Sequence, residues 1–506
     1  MLTTSRIKKK TAFFSLYDTN FVTEFAKILI KKDWTVIATK ETSSVLRKKN
    51  IKHLTLENYL NYKKKHNFPP TLHPKLEEAL TQNYKKKIDL VYVVTYPTKI
   101  GKDIGGHTII SLATKGNRIV VTNTKDMKMI TNIIKNNKTI NSVINKNLKN
   151  KAWKQVSDFY LSLSQRYNKY NSKYLKLEYR NKALHGENPN QKPCKIYSIK
   201  SNAVSAINSN RYDINKLCYT NIVDLDNLIN IAILLSKTFK KVFNKIPYIS
   251  LAAKHGNPCG ASFSWSSKEE TITNSLNTNS DAMLGGEFLC NFDLNKKLAE
   301  KIYYNKKDKR KLDMVFSTKY HENALNVFKQ RKQTKIISNY NLNNIKNNKE
   351  LFYRKINAGF LEQPNQEFIL SKKNFKGNKF NHEKIQDIIL AWCIVSNSFF
   401  GGNEVALVKN KKLLMCSGGP STLEATKTLF FRLKNIGKKE ISKGALFAAD
   451  AFFPFTDCLK ILLKNNCFDG IVPTGSINDN KVYEFCRQNK MNVVFLDKNI
   501  RGFCRH

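Results

Sequence analysis

The chain has 506 residues, with 87 Lys and Arg against 39 Asp and Glu, a formal charge of +48. With 41% apolar and 11% aromatic residues it lies outside the weakly hydrophobic, disordered class, and its length gives room for two or more domains. No apolar run approaches the ~20 residues that span a bilayer, and Lys8 to Lys10 lack an adjoining apolar h-region, so a cytosolic protein without a membrane partner is expected.

In chain order, TAFFSLY (11–17) reads as a strand, 21–32 as a helix, WTVIAT (34–39) as a strand and 43–49 as a short helix. Then come LVYVVTYP (90–97) as a buried strand, about 106–114 as a helix, RIVVTN (118–123) as a strand, and a long amphipathic helix over 153–177. Strands alternating with helices predict an α/β fold, an open and mostly parallel sheet with ligands at the strands' carboxyl ends. From about residue 178 apolar runs are punctuated by GENPNQ (186–191), HGNPCG (255–260), Gly285-Gly286, FGGN (400–403), SGGPS (417–421) and PTGS (473–476). Such loops on an α/β frame are where reactive side chains sit. Residues 371–384 read as an exposed connection, and no repeat at a solenoid period is visible. The expected division is 1–180 and 181–506.

The charge has two readings. Lys and Arg on phosphates gain counterion-release free energy, which would make nucleic acid the partner. Here the excess is spread in short runs such as Lys63 to Lys65 and Lys85 to Lys87, mostly Lys with abundant Asn and Ile, the trio that A/T-rich codons specify. The charge is therefore assigned to composition, and a nucleic-acid partner is kept as the competing reading. The ten cysteines show no zinc-knuckle spacing and are expected to be reduced, without a metal.

The strand-like YISLAA (248–253) runs directly into Lys254-His255-Gly256-Asn257-Pro258-Cys259-Gly260. A cation and an imidazole at a strand end, followed by a turn, form a general-base arrangement, although a Lys-His pair alone would read as a surface dipeptide. The full segment is similar to the K-H-x-N-P-C-G motif of the AICAR transformylase/IMP cyclohydrolase family. GENPNQ resembles that family's G-E-N-P-H-Q, and Ala391-Trp392 precedes a loop containing Asn403. DAFFPFTD (450–457) resembles D-A-F-F-P-F-R-D, PTGSINDNKV (473–482) resembles P-G-G-S-I-R-D-x-x-V, and the terminal IRGFCRH resembles M-R-H-F-R-H. Upstream, TLHP (71–74), Tyr96-Pro97 and the DIGG at 103–106 with Lys115 resemble the cyclohydrolase half, so the likeness covers nearly the whole chain.

The resemblance implies a methylglyoxal-synthase-like doubly wound domain followed by a larger, cytidine-deaminase-like region. It implies formyl transfer from 10-formyltetrahydrofolate to the 5-amino group of AICAR ribotide, then dehydrative closure to IMP. It implies a homodimer with transformylase sites between subunits, no metal requirement, and room for a monovalent cation. Carried onto this chain, His255 is the base, Lys254 stabilises the formyl oxygen or assists the folate leaving nitrogen, Asn403 donates to that oxygen, and Asn188, Asn257, Gly285, Gly286, Asp450, Phe453 and Arg501 contact substrates. Asp450 reads equally as a helix N-cap, and the Phe452 to Phe455 run as core. In the cyclohydrolase half the implied residues are Lys115, Asp103, Tyr96, His73 and Ser15.

Several positions depart from the family pattern. A phosphate-binding Arg before the G-E-N-P segment is replaced at Leu184-His185, the G-A-G-Q-M-S-R loop reads Ser417 to Leu423, and Thr456 stands for Arg. The cyclohydrolase S-T-G-G-T loop reads Ala38 to Thr42, without the glycines that let amides cradle a phosphate, and Pro70 stands for Lys. Two alternatives to the bifunctional enzyme are thus kept open: a transformylase whose first domain serves folding and dimer contacts, and a basic nucleic-acid binder on an enzyme scaffold.

Overall fold

The computed structural model describes residues 9–61, 70–83, 87–97, 104–166, 173–199, 204–205, 207–211, 217–279, 281–305, 308–330, 333–343, 351–365, 367–398, 400, 402–437 and 439–500. The chain forms two compact units, Met1–Leu175 and Lys176–His506, and both are α/β.

In the first unit β1 (Thr11–Leu16), α1 (Val22–Lys31), β2 (Thr35–Ala38) and α2 (Lys40–Lys48) follow the predicted order. β3 (Leu54–Thr55), α3 (Leu56–Leu60), α4 (Pro74–Thr81), β4 (Leu90–Val94), α5 (Ile104–Lys115) and β5 (Ile119–Val121) come next. The strands lie in the order β3-β2-β1-β4-β5, all parallel, with Phe13, Phe14, Val91 and Tyr92 fully buried. Burial on both faces is why these strands are continuous apolar runs. α6 (Thr124–Lys135), whose N-cap Asn123 accepts from the Asp126 amide, was not foreseen. The long helix, α7, spans Ser142–Arg166 instead of 153–177; an Asn-rich first turn masks its start, while Leu148, Ala152, Val156 and Phe159 hold it to the unit.

The second unit opens with a hairpin of its own, β6 (Glu178–Ala183) and β7 (Cys194–Ser198), and a two-residue β8 (Asn210–Arg211). Two matching series follow. The first is α8 (Tyr219–Phe243), β9 (Tyr248–Lys254), β10 (Asn257–Ser264), α9 (Lys268–Leu276), β11 (Glu287–Cys290) and α10 (Lys296–Tyr303). After a short ribbon, β12 (Tyr304–Asn305) with β13 (Asp308–Lys309), it ends in β14 (Met314–Ser317), α11 (Glu322–Lys329) and β15 (Lys335–Ser338). A separate ribbon, β16 (Leu351–Ile356) with β17 (Gly359–Pro364), intervenes. The second series is α12 (His382–Val395), β18 (Asn403–Lys409), β19 (Lys412–Gly419), α13 (Thr422–Asn435) and β20 (Leu446–Ala449). It closes with α14 (Asp457–Lys464), β21 (Asp469–Pro473), α15 (Asp479–Gln488) and β22 (Asn492–Leu496).

Each series is a helix, an antiparallel hairpin, a helix and three parallel strands, and the eleven-stranded sheet runs β22-β21-β20-β18-β19-β10-β9-β11-β14-β15-β8. Apart from β8 that order is a palindrome, so the two halves are related by a pseudo-twofold axis at the β19–β10 seam. α8 and α12 cover one face, meeting Leu251, Ala253, Phe263, Ala406 and Ala448. The other face is covered by α9 to α11 over one half and α13 to α15 over the other.

The segment 371–384 is less open than expected. Phe375 is 7% exposed and packs on the core with Phe380, and α12 already begins at His382. Of the ten cysteines, nine fall among the described residues, all are unpaired thiols, and seven are buried. No helix among the described residues is long and apolar enough to cross a membrane.

Candidate functional site

HGNPCG is not a long loop. The chain reverses in two residues, His255 at φ 53° and Gly256 at φ 71°, and Asn257 already begins β10, paired with Lys254. Two consecutive positive φ angles make a type I′ turn, which matches strand twist and holds a non-glycine residue such as His255 in a left-handed conformation. His255 is exposed at the tip and Lys254 is half-buried, its Nζ donating to the Leu284 carbonyl at 2.7 Å. The following Gly285 has φ 72°, and a Cβ on Gly286 would lie 2.8 Å from the Ala253 carbonyl, so this backbone lies tight against β9. Cys259 is no nucleophile, because burial pushes its thiol up to about 12.

Beneath the turn lie four buried polar residues that the sequence did not single out. The Asp224 carboxylate lies against the turn, its Oδ1 3.7 Å from where a Cβ on Gly256 would sit, and the backbone N–H groups of His255 and Gly256 favour its charged form. Asn227 Nδ2 donates to the Gly256 carbonyl, and Asn221 Nδ2 donates to Glu287 Oε1 at 3.1 Å. Glu287 is opposite Ala253 in register, so its side chain points to the α8 face and meets the Asp224 carboxyl. Burial and the neighbouring Asp224 charge push Glu287 up to about 9; burial also raises Asp224, against the two amides that favour its charged form. One signal was legible: Asn221, Asp224 and Asn227, at i, i+3 and i+6, put three polar groups on one stripe of the helix.

Strand directions gather the remaining candidates. β9 and β18 are each antiparallel to their hairpin partners and to β11 and β20 respectively, and β10 is antiparallel to β19. Hence Lys254, Asn257, Gly286, Asn403, Gly419 and Asp450 all lie at one end of the sheet. Asn403 Nδ2 donates to the Pro420 carbonyl at 3.1 Å, and Asp450, fully buried, accepts the Glu404 amide through Oδ1 at 2.7 Å. Asp450 is thus a clamp between β20 and β18; the next helix begins only at Asp457. Glu404, also buried and also unforeseen, accepts the Phe400 amide at 2.6 Å. Phe453 is 1% exposed and stacks on Phe447 in the core, whereas Phe455 is 61% exposed.

Lys254 and Asn403 share this end without meeting. β10 and β19 separate their strands, which at ~4.8 Å per strand puts them about 14 Å apart in one chain. The segment with Asn188 is tied to the start of α8, through Tyr219 N to the His185 carbonyl at 3.1 Å and Leu184 N to the Leu217 carbonyl at 2.8 Å. Asn188 itself is exposed, its amide bonded to Gln191 Oε1 at 2.7 Å, and Leu184 presents an apolar side chain that is 52% exposed. Arg501 lies outside the described residues.

In the first unit Ser15, near the carboxyl end of β1, and Tyr96, just past β4, share the expected edge of the parallel sheet, and Tyr96 packs on Tyr17 with centroids 5.0 Å apart. The Thr39 to Thr42 turn is occupied by its own bonds: Thr42 Oγ1 accepts the Leu16 amide at 3.0 Å and the Thr39 hydroxyl at 3.3 Å. His73 caps α4, accepting the Lys75 amide at 3.2 Å, and Arg118 holds the other end of that helix by donating to the Leu80 carbonyl at 2.7 Å. Lys115 closes α5 just before β5; at 1.5 Å per residue it lies about 16 Å along the helix from Ile104, so one chain does not bring it to the Ser15 and Tyr96 edge. Asp103 lies outside the described residues. Among the described residues no group of three or more His, Cys, Asp or Glu is placed to hold a metal ion.

Residues 115–428 match the model of the AICARFT/IMPCHase bienzyme family. The chain is 28% identical to the bifunctional purine biosynthesis protein PurH of Buchnera aphidicola subsp. Schizaphis graminum, covering 97% of this chain and 98% of that protein. It is 25% identical to the PurH of Fusobacterium nucleatum subsp. nucleatum, over 96% and 98%, and 27% identical to that of Wigglesworthia glossinidia brevipalpis, over 98% of both.

Proposed function

Because the chain belongs to the AICARFT/IMPCHase bienzyme family, we propose that it carries out both reactions of that family in purine biosynthesis. It transfers the formyl group of 10-formyltetrahydrofolate to the 5-amino group of AICAR ribotide, and closes the product to IMP with loss of water. The second unit is the transformylase, with a cytidine-deaminase-like fold, and the first is the cyclohydrolase, with a methylglyoxal-synthase-like fold. The observation that carries the reading is the Lys254-His255-Gly256-Asn257 hairpin, displayed at the sheet end that also holds Gly285-Gly286, Asn403 and Asp450.

The chemistry follows from the nucleophile. An amine whose electrons delocalise into an aromatic carboxamide attacks poorly, so a base that takes its proton as the N–C bond forms lowers the barrier. His255, exposed on a rigid turn, is that base. The Lys254 ammonium, within reach of the Leu284 carbonyl, and the Asn403 amide stabilise the charge developing on the formyl oxygen. The tetrahydrofolate nitrogen then leaves with a proton.

The separation of Lys254 from Asn403 supports a homodimer in which each centre takes the His255 turn from one subunit and the Asn403 edge from the other. In the first unit Ser15 and Tyr96, at one sheet edge, receive formyl-AICAR ribotide, with Tyr96 as proton donor for closure. The test is a coupled assay of the purified protein with AICAR ribotide and 10-formyltetrahydrofolate, following formyl-AICAR ribotide and IMP separately. Accumulation of formyl-AICAR ribotide at only the spontaneous closure rate would reduce the first unit to a structural role, and absence of formyl transfer would overturn the reading.

A further inference from the structure

The two halves of the larger sheet carry the same device at their hairpin turns, and only one of those turns bears reactive groups. Asp224 is the sixth residue of α8 and lies against the His255-Gly256 turn, its Oδ1 3.7 Å from where a Cβ on Gly256 would sit; Asp387 is the sixth residue of α12 and lies against the Asn410-Lys411 turn, accepting Lys411 N through Oδ1 at 2.8 Å. Asn410 and Lys411 have φ 53° and 62°, so this turn too is type I′, and the antiparallel strands place it at the opposite end of the sheet. At the strand position beside each turn the halves differ in polarity: Glu287 pairs with Ala253, whereas its counterpart Leu446 pairs with Val408.

We propose that Asp224 is a positioning residue for formyl transfer: by lying against the backbone of the turn from beneath, it fixes His255 against the substrate amine, while Asp387 is its purely structural twin. The inference rests on the transformylase reading. A two-residue turn that carries a base at its tip has few other anchors. Asn227 donates to the Gly256 carbonyl and the Asp224 carboxylate lies against Gly256, so the turn is held from α8. Glu287, protonated and bonded by Asn221, keeps a second negative charge away from Asp224 and leaves that carboxylate free to accept. The groups facing the pair are the His255 turn, the Asn221 amide and, more remotely, Asp313. Loss of one anchor loosens the base by a fraction of an ångström to an ångström, a displacement worth about 10- to 100-fold in rate.

The test compares Asp224→Asn with Asp387→Asn in the full-length protein. Both should lower the thermal midpoint by a few degrees, about what one buried charged hydrogen bond contributes. Only Asp224→Asn should lower kcat for formyl transfer, by about 10- to 100-fold with KM for the folate within about threefold, and Asp387→Asn should retain kcat within about twofold. Hydrogen exchange read by mass spectrometry gives a measure independent of activity: Asp224→Asn accelerates exchange in the peptide containing 255–256, and Asp387→Asn only in that containing 410–411. Equal loss of kcat in the two variants, or unchanged kcat in Asp224→Asn, overturns the proposal. A wild-type protein that shows the exchange pattern but transfers no formyl group overturns the functional reading instead. Should Asp224→Asn not fold, Asp224→Ser, which keeps one oxygen acceptor, takes its place with the same expectations.

Discussion

Replacing Glu287 by Gln should make the protein more stable at alkaline pH than the wild type, by a margin that grows with pH. Glu287 is 2% exposed, and burial beside Asp224 pushes it from 4.5 up to about 9. The sign follows from proton counting. Below pH 4.5 the group is protonated folded or unfolded and contributes no difference; between 4.5 and about 9 only the unfolded chain releases the proton, so stability falls as pH rises, and above about 9 the loss is complete. The slope approaches ~1.4 kcal/mol per pH unit, or about 3 kcal/mol between pH 6 and 8. Gln has no proton to lose. Its Oε1 can accept from Asn221 as Glu287 does, and its Nε2 can donate to the Asp224 carboxylate, so the geometry is kept. Urea unfolding followed by tryptophan fluorescence at pH 6, 7 and 8 measures the difference between the two proteins at each pH, which cancels the titrating groups that do not interact with Glu287. A difference that stays constant across that range, or a variant that loses ground as pH rises, would refute a protonated Glu287.

His255→Ala should lower formyl transfer by about 10²-fold or more, with a thermal midpoint close to wild type because the side chain is exposed; wild-type turnover would remove it as the base. Co-expressed His255→Ala and Asn403→Ala chains, each inactive alone, should regain about a quarter of wild-type activity if centres are shared across a twofold dimer, and none if each centre is built from one chain. Leu184→Arg should lower KM for AICAR ribotide by about tenfold through a bidentate phosphate contact, and an unchanged KM would mean that another group holds the phosphate. Tyr96→Phe should slow closure of formyl-AICAR ribotide by about 10- to 100-fold while leaving formyl transfer intact, and equal rates would exclude Tyr96 as the proton donor.

The first unit was legible because its strands are buried on both faces, so TAFFSLY, TVIA and LVYVV stand out without alignment. The helix at 142–166 was misplaced because Asn145, Asn147 and Asn150 dilute the apolar period that its buried Leu148 and Ala152 supply. The reactive turn reads as a motif, but NPCG, which its Pro and Gly mark as loop, is strand: its Pro258 sits beside a register irregularity between Pro258 and Gly260, where the ladder spares the missing N–H. What stayed hidden was the buried polar layer. Glu287 opens an apolar strand and Glu404 follows Asn403, and single carboxylates among apolar neighbours carry no spacing that marks them as partners of residues 63 or 46 positions away.

The pseudo-twofold was invisible for a related reason. A type I′ turn demands two positive φ angles and nothing else, and His255-Gly256 and Asn410-Lys411 meet that demand with no residue in common. The sheet order requires only apolar alternation, which many sequences satisfy. The halves share an aspartate at one helical position beneath each turn, and beside it they differ in a buried carboxyl, Glu287 paired with Ala253 against Leu446 paired with Val408. Asp387 is pushed by burial up to about 6 and anchors a turn of Asn and Lys. Asp224, with a protonated Glu287 beside it, anchors one that carries an imidazole. A symmetric frame thus supplies two equally rigid turns, and the reactive one is distinguished by the residues at its tip and the carboxyl beneath it, which is why function at this site follows side chains that the fold alone does not dictate.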